Sequence, residues 1–330
     1  MTEKKSCCAP QRPDRAKPDK AKNLLPIEVS EDGARADAQD IIALPETKGF
    51  IGTDRPVFEV DEEAPYRGIK LKPFWIDATT VTNAQFAEFV AQTGYKTEAE
   101  TLGNSFVFAA FLADQTDTGN AVSAAPWWRL TDGACWHRPA GHNSDITALP
   151  DHPVVHISWN DAQGFASWAG GRLPTEAEWE HAARGGLGDA AYPWGDEAPN
   201  DTDFFPCNIW QGQFPENNLC KDGFSGTAPA HSFQPNGYGL YNMVGNVWEW
   251  TQQSFKLRSL KKALRQIHRD KAGFKICKGG SYLCHASYCH RYRIAARTAN
   301  SPDSSTGHTG FRLVYDTPPK DSPAKPGRTA

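Results

Sequence analysis

The sequence predicts an α+β fold in a single loop-rich domain, and three observations carry that prediction. Apolar residues recur with helical spacing in only three segments. The pieces with strand character are three to six residues long. Between them the chain is dense in Gly, Pro, Asn, Asp and Trp, with 28 Gly, 24 Pro and 11 Trp in 330 residues. A region of this composition holds its shape through turns, aromatic packing and bound ions rather than through long ladders.

The first predicted helix covers residues 83–92. Thr82 or Asn83 caps it, Phe86, Phe89 and Val90 share one face, and Gly94 ends it. The second covers 161–169 and stops at Gly170-Gly171. The third follows Pro174, where Thr175 and Glu178 have the spacing of a capping box and Gly185-Gly186 closes the helix. Strand-like pieces are expected at 68–71, 74–76, 154–157 and 310–315. Residues 1–42 are rich in Lys, Asp, Pro and Ala and read as a flexible N-terminal tail, as do residues 316–330 at the other end. Residues 43–315 contain no linker-like shift in composition and no internal repeat, so they read as the one folded domain.

Net charge −4 and a pI near 6.2 give no basic field for nucleic acid. No stretch approaches the roughly 18 continuous apolar residues of a membrane helix. The N-terminal residues carry charges without an apolar core, so they do not read as a secretory signal, and a cytoplasmic setting with reduced thiols is expected. Eight cysteines stand at positions 7, 8, 135, 207, 220, 277, 284 and 289. They read as ligands, reactive groups or isolated thiols, although their even number also allows four disulfides.

Six blocks carry a resemblance: GGRLPTEAEWEHAARGG (170–186), YPWGDE (192–197), CNIWQGQFP (207–215), PNGYGLYNMVGNVWEWT (235–251), KGGSYLCHASYCHRYRIAAR (278–297) and NSPDSSTGHTGFR (300–312). Together they resemble the formylglycine-generating enzymes, or sulfatase-modifying factors, over about residues 43–315. The RLPTEAEWE and GNVWEW blocks are shared with a wider superfamily that includes sulfoxide synthases and binding-only relatives, whereas SYLCHASYCHRYR is far more specific. The resemblance implies a variant of the C-type lectin fold. It also implies oxidation of the cysteine in a Cys-x-Pro-x-Arg segment of an unfolded sulfatase to formylglycine, with dioxygen and a thiol reductant, at Cu(I) held by two cysteines. Two other functions stand beside it: a non-catalytic sulfatase-binding escort of the same fold, and a metal-free thiol–disulfide oxidoreductase. A binding-only relative would be expected to lack Cys284, Cys289 and Ser281, and all three are present.

Cys284 and Cys289 are five residues apart, a spacing that puts them on different faces of an ideal helix or strand, so they converge only if the segment turns. Taken alone, such a pair also reads as a hairpin disulfide or two unrelated thiols. As thiolates they select soft Cu(I) and leave room for a third sulfur from a substrate cysteine. By resemblance, Ser281, Tyr288 and Trp248 surround the copper and its oxygen pocket, two as hydroxyl donors and one as an apolar wall. His285 and His290 fall outside the ligand set.

Ser304, Ser305 and His308 match the substrate groove, with His308 standing where relatives commonly have Asn. Arg291 is assigned to substrate binding. Its alternative is a structural role with Tyr292 and Arg293, paired to Asp303. Calcium is expected at Asn208, the Ile209 carbonyl, Asp222 and the Phe224 carbonyl, and at Asn242, the carbonyls of Gly245 and Val247, and Glu249; hard oxygen donors suit that ion. Two disulfide cysteines of secreted relatives fall at Ile294 and Leu313, so those crosslinks cannot form here. Cys220 and Cys277 read as isolated thiols. Trp127, Trp128 and Trp136 read as packing, with the lining of a peptide groove as the alternative. The basic run 256–275 reads as a solvated helical excursion or as a surface that steers acidic clients. Finally, Cys8-Ala9-Pro10-Gln11-Arg12 in the tail matches the client pattern. It reads as a tethered pseudosubstrate, with Cys7-Cys8 as a copper-acquiring pair, or an inert tail, as the alternatives.

Overall fold

Hydroxyl caps decide where the helices begin. The computed structural model describes residues 10, 41–112, 120–123, 125–257, 261–319 and 325–326. In chain order these form β1 (Ile41–Leu44), β2 (Thr47–Ile51), β3 (Arg67–Leu71), β4 (Phe74–Asp77), α1 (Asn83–Thr93), α2 (Glu98–Leu102), β5 (Asn104–Phe108), β6 (Ala121–Val122), β7 (Ala125–Asp132), α3 (Trp159–Trp168), α4 (Glu176–Arg184), β8 (Gly212–Gln213), β9 (Asn217–Asn218), β10 (Trp248–Ser254), α5 (Lys262–Ile267), β11 (Lys275–Lys278), β12 (Thr298–Asn300), β13 (Thr309–Gly310), β14 (Val314–Tyr315) and β15 (Lys325–Pro326). Thr82, Thr97, Ser158 and Thr175 each accept a hydrogen bond from the third residue of their helix, whose side chain bonds back. The Ser158–Asp161 box starts α3 two residues before the expected 161. The five-residue α2 is too short to display the periodicity by which helices are read.

Two four-stranded sheets organise the chain, in the orders β14-β4-β1-β15 and β12-β11-β10-β13. The expected strand at 310–315 is in fact two. β13 pairs with β10 and β14 with β4, so the chain crosses from one sheet to the other through buried Phe311, Arg312 and Leu313. The expected strand at 154–157 is irregular. Val154 N–H bonds to the Val81 carbonyl and His156 N–H to that of Thr306, so no single neighbour provides a ladder. The basic run is not a solvated excursion throughout. α5 and the turn after it lie against the acidic segment 59–63, where Lys261 pairs with Glu59 at 3.3 Å and His268 bonds to the Val60 carbonyl at 2.7 Å. Among the described residues no helix is long and apolar enough to cross a membrane.

The core is aromatic: Phe86 of α1 stacks on Phe165 of α3 with centroids 5.7 Å apart, and Trp136, Phe89, Trp168 and Phe311 pack around them. Set into this core is the ion pair of Arg312 and Glu249. Arg312 donates to both oxygens of Glu249 at 2.7 Å, and both residues are buried. Its remaining N–H groups reach the carbonyls of Asp77, Ala78 and Tyr241. Glu249 also accepts from the Trp179 indole at 2.8 Å. Removing one partner of a fully satisfied buried pair leaves a desolvated charge and costs about 3–5 kcal/mol. We therefore expect Arg312→Leu to lower the denaturant-derived stability by about that amount. Arg55→Ala, which breaks a half-exposed pair with Asp196, should cost no more than about 1 kcal/mol.

Candidate active site

After β11 the chain reverses at Gly279 and Gly280, both at positive φ (93° and 75°). A Cβ on Gly280 would lie 2.9 Å from Tyr292 Cα, so the close approach needs glycine there. Two turns follow. Cys284 N–H bonds to the Ser281 carbonyl at 2.9 Å, then Tyr288 and Cys289 N–H groups both bond to the His285 carbonyl at 3.0 and 2.8 Å. Trp210 N–H holds the Cys284 carbonyl at 3.0 Å, and Arg291 N–H holds that of Cys289 at 2.7 Å. These turns bring the Sγ atoms of Cys284 and Cys289 to 3.3 Å. That is well beyond the roughly 2.04 Å of a disulfide, so the two are not bridged to each other, and both are buried. The Ser281 N–H points at Cys284 Sγ at 3.4 Å.

A cleft opens onto Cys284. It is lined by Trp127 and Trp128 of β7, Phe214, Ser281, Leu283, Tyr288 and His308. Tyr288 stacks on Phe214 with centroids 4.1 Å apart, and Trp127 meets it edge-on at 5.1 Å. His308 lies edge-on to Trp128 at 4.7 Å. Its Nδ1 sits 2.6 Å from Thr306 Oγ1, while its buried Nε2 has no hydrogen-bond partner among the described residues. Burial, with His156 adding to it, pushes its pKa down to about 3, so the ring is neutral at ordinary pH. The His308 carbonyl accepts from Trp248 N–H at 2.8 Å, which joins β10 to this wall.

Of the residues expected at the site, Cys284, Cys289, Ser281, Tyr288 and His308 come together. Trp248 lies in the same buried cluster as the two thiols rather than on the cleft surface. Ser305 sits outside the lining, in a buried chain in which Ser105 Oγ lies 2.7 Å from Ser305 Oγ and 2.8 Å from His156 Nδ1. Ser304 Oγ accepts from Asn300. Arg291 is directed elsewhere. It pairs with Asp61 and lies over the Phe58 ring, while Arg293 pairs with Glu63, so Asp303 is the partner of neither. His285 contacts Ser287 and Asp201, and His290 meets the Tyr192 hydroxyl. Trp127 and Trp128 line the cleft, the alternative to the packing role that the sequence favoured, while Phe214 and Leu283 were missed as cleft walls. Phe214 and Leu283 sit inside the resembling blocks, and that placement was the available signal. Cys8 and Arg12 lie outside the described residues.

The expected calcium donors form two unequal groups. Asn208 Oδ1 is buried without a partner among the described residues, and burial pushes the nearby Asp222 carboxyl up from its ordinary range. Asp222 accepts from the N–H groups of Ile209 and Phe224 and from the Gln211 amide. In the second group Asn242 Oδ1 is likewise buried without a described partner, but the Glu249 carboxylate is already taken by Arg312 and Trp179. Among the described residues no three His, Cys, Asp or Glu side chains converge as a metal cluster.

A loop-rich α+β domain with a cleft that reaches one thiol of a close buried pair defines the class, and the chain belongs to the sulfatase-modifying factor, or formylglycine-generating enzyme, family. The family profile described as "Sulfatase-modifying factor enzyme 1-like domain" matches residues 27–317. The chain is 51% identical over 287 residues to a formylglycine-generating enzyme of Thermomonospora curvata, covering 84% of this chain and 94% of that protein. It is 41% identical over 281 residues to the "Inactive C-alpha-formylglycine-generating enzyme 2" of Bos taurus, covering 83% and 87%. The solved structure of PvdO from Pseudomonas aeruginosa superimposes with a TM-score of 0.58 at 20% identity, covering 84% of this chain and 94% of that one. That likeness concerns the fold, which is the expected loop-rich variant of the C-type lectin arrangement.

Two buried histidines give the stability a pH signature. His156 and His308 are held at about 4 and about 3 by burial, below the ordinary 6.5. Each contributes stability that is complete above pH 6.5 and is lost as pH falls toward its folded value. Asp161, raised to about 7 by burial, runs the opposite way and weakens the fold as pH rises through its window. Burial holds His137, His152, His181, His268 and His290 low as well, so stability from chemical denaturation should fall between pH 6.5 and pH 4. In His308→Asn that fall should be shallower by up to one bound proton; an unchanged slope would contradict this account.

Proposed function

We propose that this chain oxidises the cysteine of a Cys-x-Pro-x-Arg segment in a sulfatase polypeptide to formylglycine, and that Cys284 and Cys289 hold Cu(I) for the purpose. The observation that carries this reading is the convergence of two buried thiols, their sulfurs 3.3 Å apart, with Cys284 lining an aromatic cleft, in a chain of this family. Two soft sulfur donors at this separation suit Cu(I). When bound, that ion supplies the site of electron transfer to dioxygen. Overall, the substrate thiol, one dioxygen, two electrons and two protons give the aldehyde, one hydrogen sulfide and one water. The carbon–sulfur bond breaks, one oxygen atom enters the aldehyde and the other leaves as water. A thiol reductant provides the two electrons and protons that the substrate does not.

The protein's own groups prepare that chemistry. The Ser281 N–H orients the sulfur of Cys284. Trp127, Phe214 and Tyr288 make an apolar wall that excludes water from the sulfur pair. Ser281 and Tyr288 line the same cleft as Cys284 and bring hydroxyls that can carry protons, and the neutral His308 Nε2 is available to a substrate amide. For calcium, the orphaned Asn208 Oδ1 beside Asp222 favours the first donor set. The second has its carboxylate neutralised by Arg312.

The test is a peptide containing Cys-Thr-Pro-Ser-Arg, incubated with copper-loaded protein, air and a thiol reductant, and followed by mass spectrometry. Aldehyde should form, and should be abolished in Cys284→Ser and Cys289→Ser. Ser281→Ala should slow it about 10–100-fold, as for groups that support a metal's ligands. No turnover with copper demonstrably bound would favour a non-catalytic escort instead. Aldehyde formation that survives a Cu(I) chelator would exclude the copper assignment.

A further inference from the structure

We propose that the chain carries its own ligand for this cleft: the N-terminal segment Cys8-Ala9-Pro10-Gln11-Arg12, a tethered occupant that a client polypeptide must displace. The inference deepens the function proposed above and rests on its Cys-x-Pro-x-Arg substrate class.

Three independent observations support it. The first is the sequence. With 8 Cys and 24 Pro in 330 residues, a chance match to three fixed residues at this spacing has a probability of roughly a few per cent over the whole chain. The match falls in a segment where cysteines have no core to fill, since the neighbouring residues are mainly Lys, Arg, Asp, Pro and Ala.

The second is the burial of Pro10. Of the first forty residues the structure describes Pro10, and it is buried. A proline in a polar, charged segment is ordinarily solvated. Here the central residue of the motif is packed out of water, 31 positions before β1 begins at Ile41.

The third is the cleft itself. Its walls are the faces and edges of Trp127, Phe214 and Tyr288, the kind of aromatic surface on which a proline ring docks. It also contains a polar atom that needs a partner. His308 Nε2 is buried, belongs to a neutral ring and makes no hydrogen bond among the described residues. An extended peptide brings amide groups that would satisfy it.

The tether permits the contact. Residues 11–40 span up to about 100 Å when extended, against a radius of gyration near 20 Å for a folded chain of this length. Covalent attachment through such a segment gives an effective concentration on the order of millimolar. A segment of only sub-millimolar intrinsic affinity would then hold the cleft most of the time and weaken a competing client on the order of tenfold.

The experiment has two readouts, neither requiring turnover. In the first, full-length, metal-free protein is treated with diamide and digested, and its disulfides are mapped by mass spectrometry. Docking predicts a crosslink from Cys8 to Cys284 or Cys289, in clear excess over any from the adjacent Cys7. It should persist in Cys7→Ser, decline in Pro10→Ala with Arg12→Ala, and be suppressed by excess Cys-Thr-Pro-Ser-Arg peptide. Equal crosslinking of Cys7 and Cys8, or none to the pair, overturns the proposal. In the second, the same peptide carrying a fluorophore is titrated by anisotropy. Its Kd should tighten about tenfold when residues 2–12 are deleted. An unchanged Kd overturns docking, and unchanged Kd with reduced copper uptake would assign Cys7-Cys8 to metal acquisition. Specific Cys8 crosslinking without aldehyde formation on the peptide would leave the docking intact and defeat the proposed oxidation, so the two readings fail separately.

Discussion

The structure depends on the buried pair of Glu249 and Arg312. All five N–H donors of the guanidinium meet acceptors: two carboxylate oxygens of Glu249 and the carbonyls of Asp77, Ala78 and Tyr241. Glu249 lies on β10, Arg312 on the crossing from β13 to β14, and Asp77 at the end of β4. One side chain therefore fixes the two principal sheets against each other, and Trp179 ties α4 to the same carboxylate. An ion pair so deep is stable only because nothing in it is left unpaired.

The functional geometry follows from that constraint. Locking β10 beside β13 sets Trp248 against the His308 backbone, and so fixes the wall that carries the His308 ring. Beyond β11, two glycines with positive φ turn the chain back under Met243 and Tyr292. The following two turns do the rest. Residues that a regular element would separate onto different faces instead bring their sulfurs to 3.3 Å. In a domain with so few long ladders, the position of the thiols is held by individual backbone bonds from Trp210 and Arg291 rather than by a sheet.

What was legible in the sequence was local or block-like. Capping boxes and terminal glycines marked α1, α3 and α4 because those signals act within a few residues. The thiol pair, Ser281 and Tyr288 were legible because they share one short block. The partners of Arg291 and Arg293 were not: Asp61 and Glu63 are 230 residues distant in the chain, and nothing local distinguishes them from Asp303. For Trp127 and Trp128 the sequence offered packing or a groove wall and could not decide between them. Only the fold sets β7 opposite Phe214 and the thiols. The split of 310–315 between two sheets was hidden because both halves are apolar and buried, and periodicity cannot say which neighbour each will choose.

The central claim is that Cys284 and Cys289 form a soft-metal pair rather than a redox disulfide. The most direct measurement is anaerobic titration of the reduced full-length chain with Cu(I) against a competing chelator, followed by X-ray absorption at the copper edge. The account predicts one tightly held copper per chain with sulfur in its coordination shell, absent from Cys284→Ser and Cys289→Ser. Copper that stays bound in either variant, or coordination by nitrogen alone, would contradict it.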